Sequence, residues 1–229
     1  MGNDDIKLAQ MWADDDKNRD TNSFDSAIKK ITDSPNKIFY LIGKSASGKD
    51  TIYSALLQEL DLDRVLMYTT RPPRDTETQG VEYEFVLKEA FLNMFANHDV
   101  AEYRTYYTAH GAWTYFTPIF ELDTTHSSKL GIGTIASYME LKHLLGDKLI
   151  PIYIEVDNDV RFLRAFRREQ YKHNPDYFEL CRRYVADEED FSDAKLEQAG
   201  ITVRFNNSCE NNMADCLNNI ITYIKGYMS

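Results

Sequence analysis

A glycine-rich loop between an apolar run and a helical stretch is the feature that most constrains the fold of this chain. The run Lys37–Ile42 is rich in strand formers, and a helical pattern extends from Asp50 to about Leu60. The loop between them follows the pattern GxxxxGK, in which successive backbone N–H groups curl around a phosphate and the helix N-terminus adds positive potential. The predicted phosphate-binding residues are Gly43, Lys44, Ser45, Ala46, Ser47, Gly48, Lys49, Asp50 and Thr51.

Asp50 departs from this pattern, because the residue after the lysine is usually a Ser or Thr whose hydroxyl ligates Mg²⁺. A carboxylate can also ligate Mg²⁺, so we expect Asp50 to be a metal ligand. The structural alternative is a Gly/Ser-rich turn in which Asp50 is the N-cap of the following helix.

Strand-like and helical segments alternate along the rest of the chain, which predicts an α/β protein with a parallel sheet flanked by helices. Further apolar runs occur at Val65–Tyr68, Leu130–Ile135, Leu149–Val156 and Ile201–Phe205. Helical patterns are expected at about 136–145, 158–171, 177–190 and 211–225. Strand-like pieces at Tyr83–Leu87, Val100–Tyr107 and Trp113–Thr117 predict a small inserted antiparallel subdomain within residues 69–120.

The negative net charge argues against some classes of binding partner. The chain has 229 residues, with 26 Lys+Arg against 37 Asp+Glu and a net charge of −11, which opposes general binding to nucleic acid or anionic membranes. Three cysteines without a CxxC pair, and no signal-peptide pattern, predict a soluble cytoplasmic protein. Residues 1–36 are acidic and read as an N-terminal extension that is helical or partly disordered, with the main domain spanning 37–229.

Two groups of arginines could bind further anions. Arg71 and Arg74 lie three residues apart in the Pro-stiffened segment TTRPPR, and could clamp one oxyanion with fork-shaped hydrogen bonds. Arg161, Arg164 and Arg168 share one face of a predicted helix, within a segment (about 161–190) that reads as a helical lid. The alternative for this segment is a solvated helix paired with the acidic run 187–190.

The phosphate loop, TTRPPR and the later segment GVEYEFV together resemble the guanylate kinase family, in order from about Lys37 to the C-terminus. The resemblance implies a P-loop NTPase fold that uses ATP and Mg²⁺ and small-molecule nucleotides as substrates, as a monomer or homodimer. It implies catalytic roles for Lys49, Arg168 and Arg183, and an adenine-side role for Asn206. The residues that it implies for the phosphate of the acceptor GMP are Arg71, Arg74, Tyr83 and Tyr115. For the base it implies Glu102 at the guanine N1 and N2 edge and the hydroxyl of Thr117.

Three departures from the family pattern concern recognition of the base. Met67 stands where the family has a serine that contacts guanine, and Gly131-Ile132-Gly133 replaces the D-I-D sequence, so both aspartates are missing. The hypothesis is therefore transfer of the γ-phosphoryl group of ATP to a nucleoside monophosphate, with GMP first. The alternatives are a P-loop kinase for a different small anionic acceptor and a non-catalytic guanylate-kinase-like binding module.

Overall fold

The computed structural model describes residues 21–74, 77–108, 111–208 and 213–228. The strands are β1 (Ile38–Ile42), β2 (Asp63–Arg64), β3 (Tyr68–Thr69), β4 (Glu84–Phe85), β5 (Val100–Thr108), β6 (Gly111–Pro118), β7 (Lys129–Ile132), β8 (Leu149–Glu155) and β9 (Arg204–Asn206). The α-helices are α1 (Thr21–Asp33), α2 (Lys49–Glu59), α3 (Lys88–Ala96), α4 (Ile135–Leu145), α5 (Asn158–Gln170), α6 (Tyr177–Asp190), α7 (Asp193–Gln198) and α8 (Met213–Met228). Short 3₁₀ turns occur at Ile119–Leu122 and Gly146–Lys148.

The main sheet is parallel, with the strand order β2-β7-β1-β8-β9. Strand β1 lies at its centre and is buried along its whole length, as expected of a parallel strand covered on both faces. One hydrophobic cluster packs α1 and α4 against the sheet, and a second packs α2 and α8 against it. The predicted α/β class and parallel sheet are confirmed.

A second sheet, in the order β4-β3-β6-β5, forms the insert. Its β5–β6 hairpin and its β3–β6 pair are antiparallel, as predicted, whereas β3 and β4 pair in parallel. The helix α3 was not predicted from the sequence; its buried Phe91 packs against Phe116 with ring centroids 5.0 Å apart. The helices α5 and α6 cover the predicted lid and are joined by a short break near residues 171–176.

The first 20 residues, which carry most of the acidic extension, lie outside the described part of the chain. The rest of the extension forms α1, which packs on the core through Ile31, 2 % exposed, with Phe24, Ala27 and Ile28 beside it. Within the described residues, every helix is too short or too polar to cross a bilayer.

Candidate active site

The phosphate loop joins the end of β1 to the start of α2. Gly48, the last loop residue, has a φ of 87°, a left-handed conformation that glycine adopts without steric cost. A Cβ on Gly48 would also lie 2.7 Å from Nδ2 of Asn207, which donates a hydrogen bond of 2.9 Å to the carbonyl of Ser47. The glycine of the motif is therefore required both by backbone conformation and by close packing.

The alternative role of Asp50 as a helix cap is wrong. The N-cap position of α2 is occupied by Gly48, and Asp50 lies within the first turn with an exposed side chain. A carboxylate in the first turn of a helix is stabilised by the positive end of the helix dipole, so Asp50 does not need a capping role to be accommodated.

An open cavity lies over the loop. Its walls come from the loop and from the lid helix α5: Ala46, Ser47, Gly48, Lys49, Asp50, Thr51, Arg164 and Arg168. The Nζ of Lys49 donates to the carbonyl of Lys44 at 3.1 Å, and burial lowers the pKa of this amine. The cavity therefore brings three cations to a loop of backbone N–H groups, an arrangement suited to a polyphosphate.

The donor atoms at this cavity fit Mg²⁺. Asp50 offers a carboxylate and Thr51 a hydroxyl, and Mg²⁺ usually takes one or two carboxylates and completes its shell with phosphate oxygens and water. In the described ranges no three His, Cys, Asp or Glu side chains form a metal-binding group on their own. A bound Mg²⁺ would therefore need phosphate oxygens or water molecules as further ligands.

The lid arginines divide into three environments. Arg164 and Arg168 line the cavity, whereas Arg161 is 1 % exposed and forms ion pairs with Asp187 and Glu188 of α6. The alternative in which the basic helix pairs with the acidic run 187–190 therefore holds for Arg161. Arg183 is exposed and pairs with Glu179 at 2.6 Å, so the structure does not bring it to the cavity.

The same two acids of α6 contact the phosphate loop. Oδ2 of Asp187 accepts a 2.8 Å hydrogen bond from the backbone N–H of Ser45, and Glu188 pairs with the Nζ of Lys44 at 2.7 Å. These contacts tie the lid to the front of the loop, and the sequence alone did not indicate them.

The arginine segment forms a clamp. The guanidinium of Arg71 makes two 2.6 Å hydrogen bonds to the carboxylate of Glu77 and donates through Nε to the hydroxyl of Tyr115 at 3.0 Å. The ring of Tyr83 lies 5.2 Å from the same guanidinium, and the backbone N–H of Arg74 donates to Glu77. The structure thus brings Tyr83 and Tyr115 to the guanidinium of Arg71, and a planar carboxylate already receives the bidentate contact of Arg71. The guanidinium of Arg74 is mostly exposed and lies 3.9 Å from the same carboxylate.

The predicted base-recognition residues meet on the paired strands β5 and β6. Glu102 is buried, and its Oε1 accepts a 2.7 Å hydrogen bond from the hydroxyl of Thr117. Burial raises the pKa of Glu102, while Arg104, whose Nε lies 3.3 Å from Oε2, opposes that shift. Arg104 was missed in the sequence analysis, although residues i and i+2 of a strand share one face and the spacing could have indicated it.

The side chain of Tyr40 explains why glycines stand at positions 131 and 133, where the guanylate kinase pattern has aspartates. It faces Gly131 across the β1–β7 pair, and a Cβ there would lie 2.6 Å from its ring. A Cβ on Gly133 would lie 2.2 Å from the Tyr40 hydroxyl, which hydrogen bonds to Ser137 at 3.0 Å. No side chain fits at either position while this tyrosine is present.

Two adjacent asparagines lie at the end of β9, Asn206 as its last residue and Asn207 just after it. Asn206, the predicted adenine-side residue, is exposed and lines a separate open cavity with Arg204, Phe205, Asp215, Cys216 and Asn219. Its neighbour Asn207 is buried and contacts the phosphate loop. The sequence analysis did not single out Asn207, whose role depends on a contact between distant parts of the chain.

Comparison with known proteins gives one family. Residues 35–120 match the family model described as guanylate kinase. Over 86 residues the chain is 40 % identical to the guanylate kinase of Bacteroides thetaiotaomicron, covering 37 % of this chain and 41 % of that protein. Over 67 residues it is 43 % identical to the guanylate kinase of Neisseria gonorrhoeae, covering 29 % and 33 %. The matched region thus spans less than half the length of these curated relatives.

The fold agrees over a longer part of the chain. The crystal structure of guanylate kinase from Anaplasma phagocytophilum superposes with a TM-score of 0.57 at 17 % identity, covering 84 % of this chain and 88 % of that one. The likeness extends beyond the matched region, and at this identity it establishes the fold alone.

Proposed function

We propose that this chain transfers the γ-phosphoryl group of ATP to GMP, giving ADP and GDP, because residues 35–120 match the guanylate kinase family model and the chain is 40 % identical to a guanylate kinase over 86 residues. The observation that carries the proposal is the cavity in which Arg164 and Arg168 of the lid face the phosphate loop and Lys49. Cations that two different elements contribute to one cavity suit a phosphoryl group, which must be held while charge spreads over its oxygens.

The residues of the site have separate roles in an in-line phosphoryl transfer. The loop N–H groups and Lys49 would bind the donor phosphates, and Arg164 and Arg168 would neutralise the oxygens of the transferring group. Arg71, Arg74, Tyr83 and Tyr115 would hold the acceptor phosphate by charge-assisted hydrogen bonds. A general base is not required, because the acceptor oxygen is already ionised.

Asp50 and Thr51 are the residues that would hold Mg²⁺, which supplies charge neutralisation at the donor phosphates when bound. Arg183 could join the site only if lid movement separates it from Glu179. Asn206 remains the proposed adenine-side residue, through the cavity that it lines beside β9. We expect the enzyme to act in the cytoplasm as a monomer or homodimer.

A coupled assay that measures ADP formation from ATP with GMP, dGMP, AMP, UMP, CMP or dTMP tests the proposal. Lys49→Ala is expected to lower kcat for the preferred acceptor by on the order of 10²-fold or more, the usual effect of removing one preorganised charge-stabilising donor. Lys225→Ala, at an exposed position late in α8, is the matched control and should leave kcat unchanged.

Two outcomes would count against the proposal. Near-normal turnover in Lys49→Ala would show that the phosphate loop takes no part in phosphoryl transfer. Nucleotide binding without transfer to any acceptor would favour the non-catalytic binding module.

A further inference from the structure

Glu102 and Arg104 form an incompletely satisfied pair in the base-recognition region. The Glu102 side chain is fully buried and that of Arg104 is 15 % exposed, with Oε2 and Nε 3.3 Å apart. Their alignment does not make a hydrogen bond, and among the described residues neither Oε2 nor Nε has another hydrogen-bond partner. A buried acceptor and a buried donor thus lie side by side without hydrogen bonds.

Such atoms carry a cost that a ligand can remove. A buried polar group without a hydrogen bond is destabilising, and native proteins keep few of them outside functional sites. Here the two atoms are complementary to a molecule that offers a donor next to an acceptor. Oε2 of Glu102 and Nε of Arg104 are therefore available to form hydrogen bonds with a ligand.

Arg104 is held in place by its other contact. Its Nη1 donates to Oγ1 of Thr134, the residue that caps α4 immediately after Gly133. Since Tyr40 excludes any side chain at Gly133, the guanidinium is the charged group that this side of the region presents beside Glu102. The two residues bring one negative and one positive charge, so their charges nearly cancel.

We propose that Arg104 is a second base-reading residue, and that Glu102 and Arg104 together recognise the N1–H donor and the O6 acceptor of a 6-oxopurine nucleoside monophosphate. This inference rests on the proposed function, transfer to GMP, and on the family resemblance, which implies that Glu102 lies at the N1 edge of the base. Adenine carries an acceptor at position 1 and a donor at position 6, so both contacts would be mismatched. Mismatched buried polar groups produce strong discrimination.

The pair also determines how much the 2-amino group matters. N1–H and O6 are common to guanine and hypoxanthine. Both family aspartates are missing at Gly131 and Gly133, and Met67 replaces the family serine. We therefore infer that IMP is accepted alongside GMP, with values of kcat/KM within about 10-fold of each other, because few polar contacts remain to read the 2-amino group.

The test combines transfer with direct binding on the full-length protein. Wild-type kcat/KM is measured for GMP, IMP and AMP, and calorimetry gives the Kd of each monophosphate without ATP. Arg104→Met should lower kcat/KM and affinity for GMP and IMP together by about 10- to 100-fold, the usual range for a charge-assisted hydrogen bond. AMP should change less, so the ratio of 6-oxo to 6-amino acceptors falls.

Two further variants keep the test decisive. Arg104→Lys retains the charge and protects the fold if Arg104→Met is unstable, but it lacks the planar fork and should still lower the ratio of GMP to AMP. Arg182→Met, at an exposed lid position paired with Glu179, is the matched control and should keep that ratio.

The outcomes separate this inference from the proposed function. A wild-type preference for AMP, a GMP-to-IMP ratio above about 100, or an unchanged GMP-to-AMP ratio in folded Arg104 variants would overturn the inference while transfer continued. Selective binding of GMP and IMP without transfer would support it and overturn the proposed function. If no monophosphate binds, both fail.

Discussion

The close approach of Tyr40 to Gly133 allows a stability experiment at a position where the chain departs from the guanylate kinase pattern. In Gly133→Ala the new methyl would lie 2.2 Å from the Tyr40 hydroxyl and 2.7 Å from Oγ of Ser137. Tyr40 is fully buried, and the backbone N–H of Gly133 donates to the carbonyl of Leu41 at 3.0 Å, so neither side moves freely. We expect this small substitution to destabilise the protein.

The magnitude follows from three contributions. Overpacking of a rigid core costs about 1–3 kcal/mol. Displacement of the Tyr40 hydroxyl from Ser137 adds about 1 kcal/mol for a lost buried hydrogen bond. The lower entropy of the unfolded alanine chain returns about 0.4–1 kcal/mol. The free energy of unfolding should therefore fall by about 2 kcal/mol, or about 4–8 °C in Tm for a chain of this length.

Urea unfolding followed by circular dichroism measures this loss, and Tyr40→Phe identifies its cause. Removing the hydroxyl leaves the ring carbon Cζ 2.9 Å from the new methyl as the closest Tyr40 atom, so the cost of Gly133→Ala should shrink by about 1 kcal/mol in that background. Gly226→Ala in α8, where an added Cβ meets no described atom within 4 Å, is the control and should be neutral or stabilising. An equal cost of Gly133→Ala in both backgrounds would refute the reasoning.

Three further experiments test other parts of the structure. Glu77→Gln should lower Tm, because it leaves the buried guanidinium of Arg71 without its carboxylate. Millimolar GMP should raise the Tm of this variant by more than that of the parent, and an equal shift would contradict binding of the acceptor phosphate at Arg71. Ile31→Ala should cost about 2–5 kcal/mol of unfolding free energy in urea titrations, since the side chain is 2 % exposed, whereas no change would mean that α1 contributes little to the core. In a Cys209→Ser background at pH 8, a thiol reagent should modify exposed Cys181 rapidly and Cys216 slowly, because burial raises the pKa of the Cys216 thiol to about 11; mass spectrometry of both peptides decides, and equal labelling would disprove the burial.

Local patterns predicted the parallel core and both lid helices. The run before the phosphate loop became β1, and the helical pattern after it became α2, because glycine chemistry and apolar periodicity act over a few residues. The helical patterns expected at about 158–171 and 177–190 likewise became α5 and α6. Short elements such as α3 and α7 were missed, since nine and six residues are too few for a clear period.

Contacts between distant segments could not be predicted in the same way. The sequence singled out Arg71, Tyr83 and Tyr115, which the structure brings together, but it did not show that Glu77 already pairs with Arg71. Tyr40 was read as one more strand residue, and its effect on Gly133 depends on how β1 aligns with β7. Side-chain partners of this kind are set by strand register and loop closure, which no local pattern contains.

Under the proposed function, binding of the acceptor phosphate at Arg71 is an exchange with the carboxylate of Glu77. Glu77 is tethered six residues from Arg71, and a short tether gives an internal competitor an effective concentration in the millimolar range. An incoming phosphate must outcompete this carboxylate, which a dianion does better than a monoanion. Since the second pKa of a phosphate monoester is about 6, the Kd for GMP should rise as the pH falls through 6, and a flat profile from pH 5 to 8 would exclude the exchange. When the product leaves, the carboxylate of Glu77 pairs with Arg71 again and hinders rebinding. Glu77 should therefore weaken binding of the acceptor and also speed release of the product.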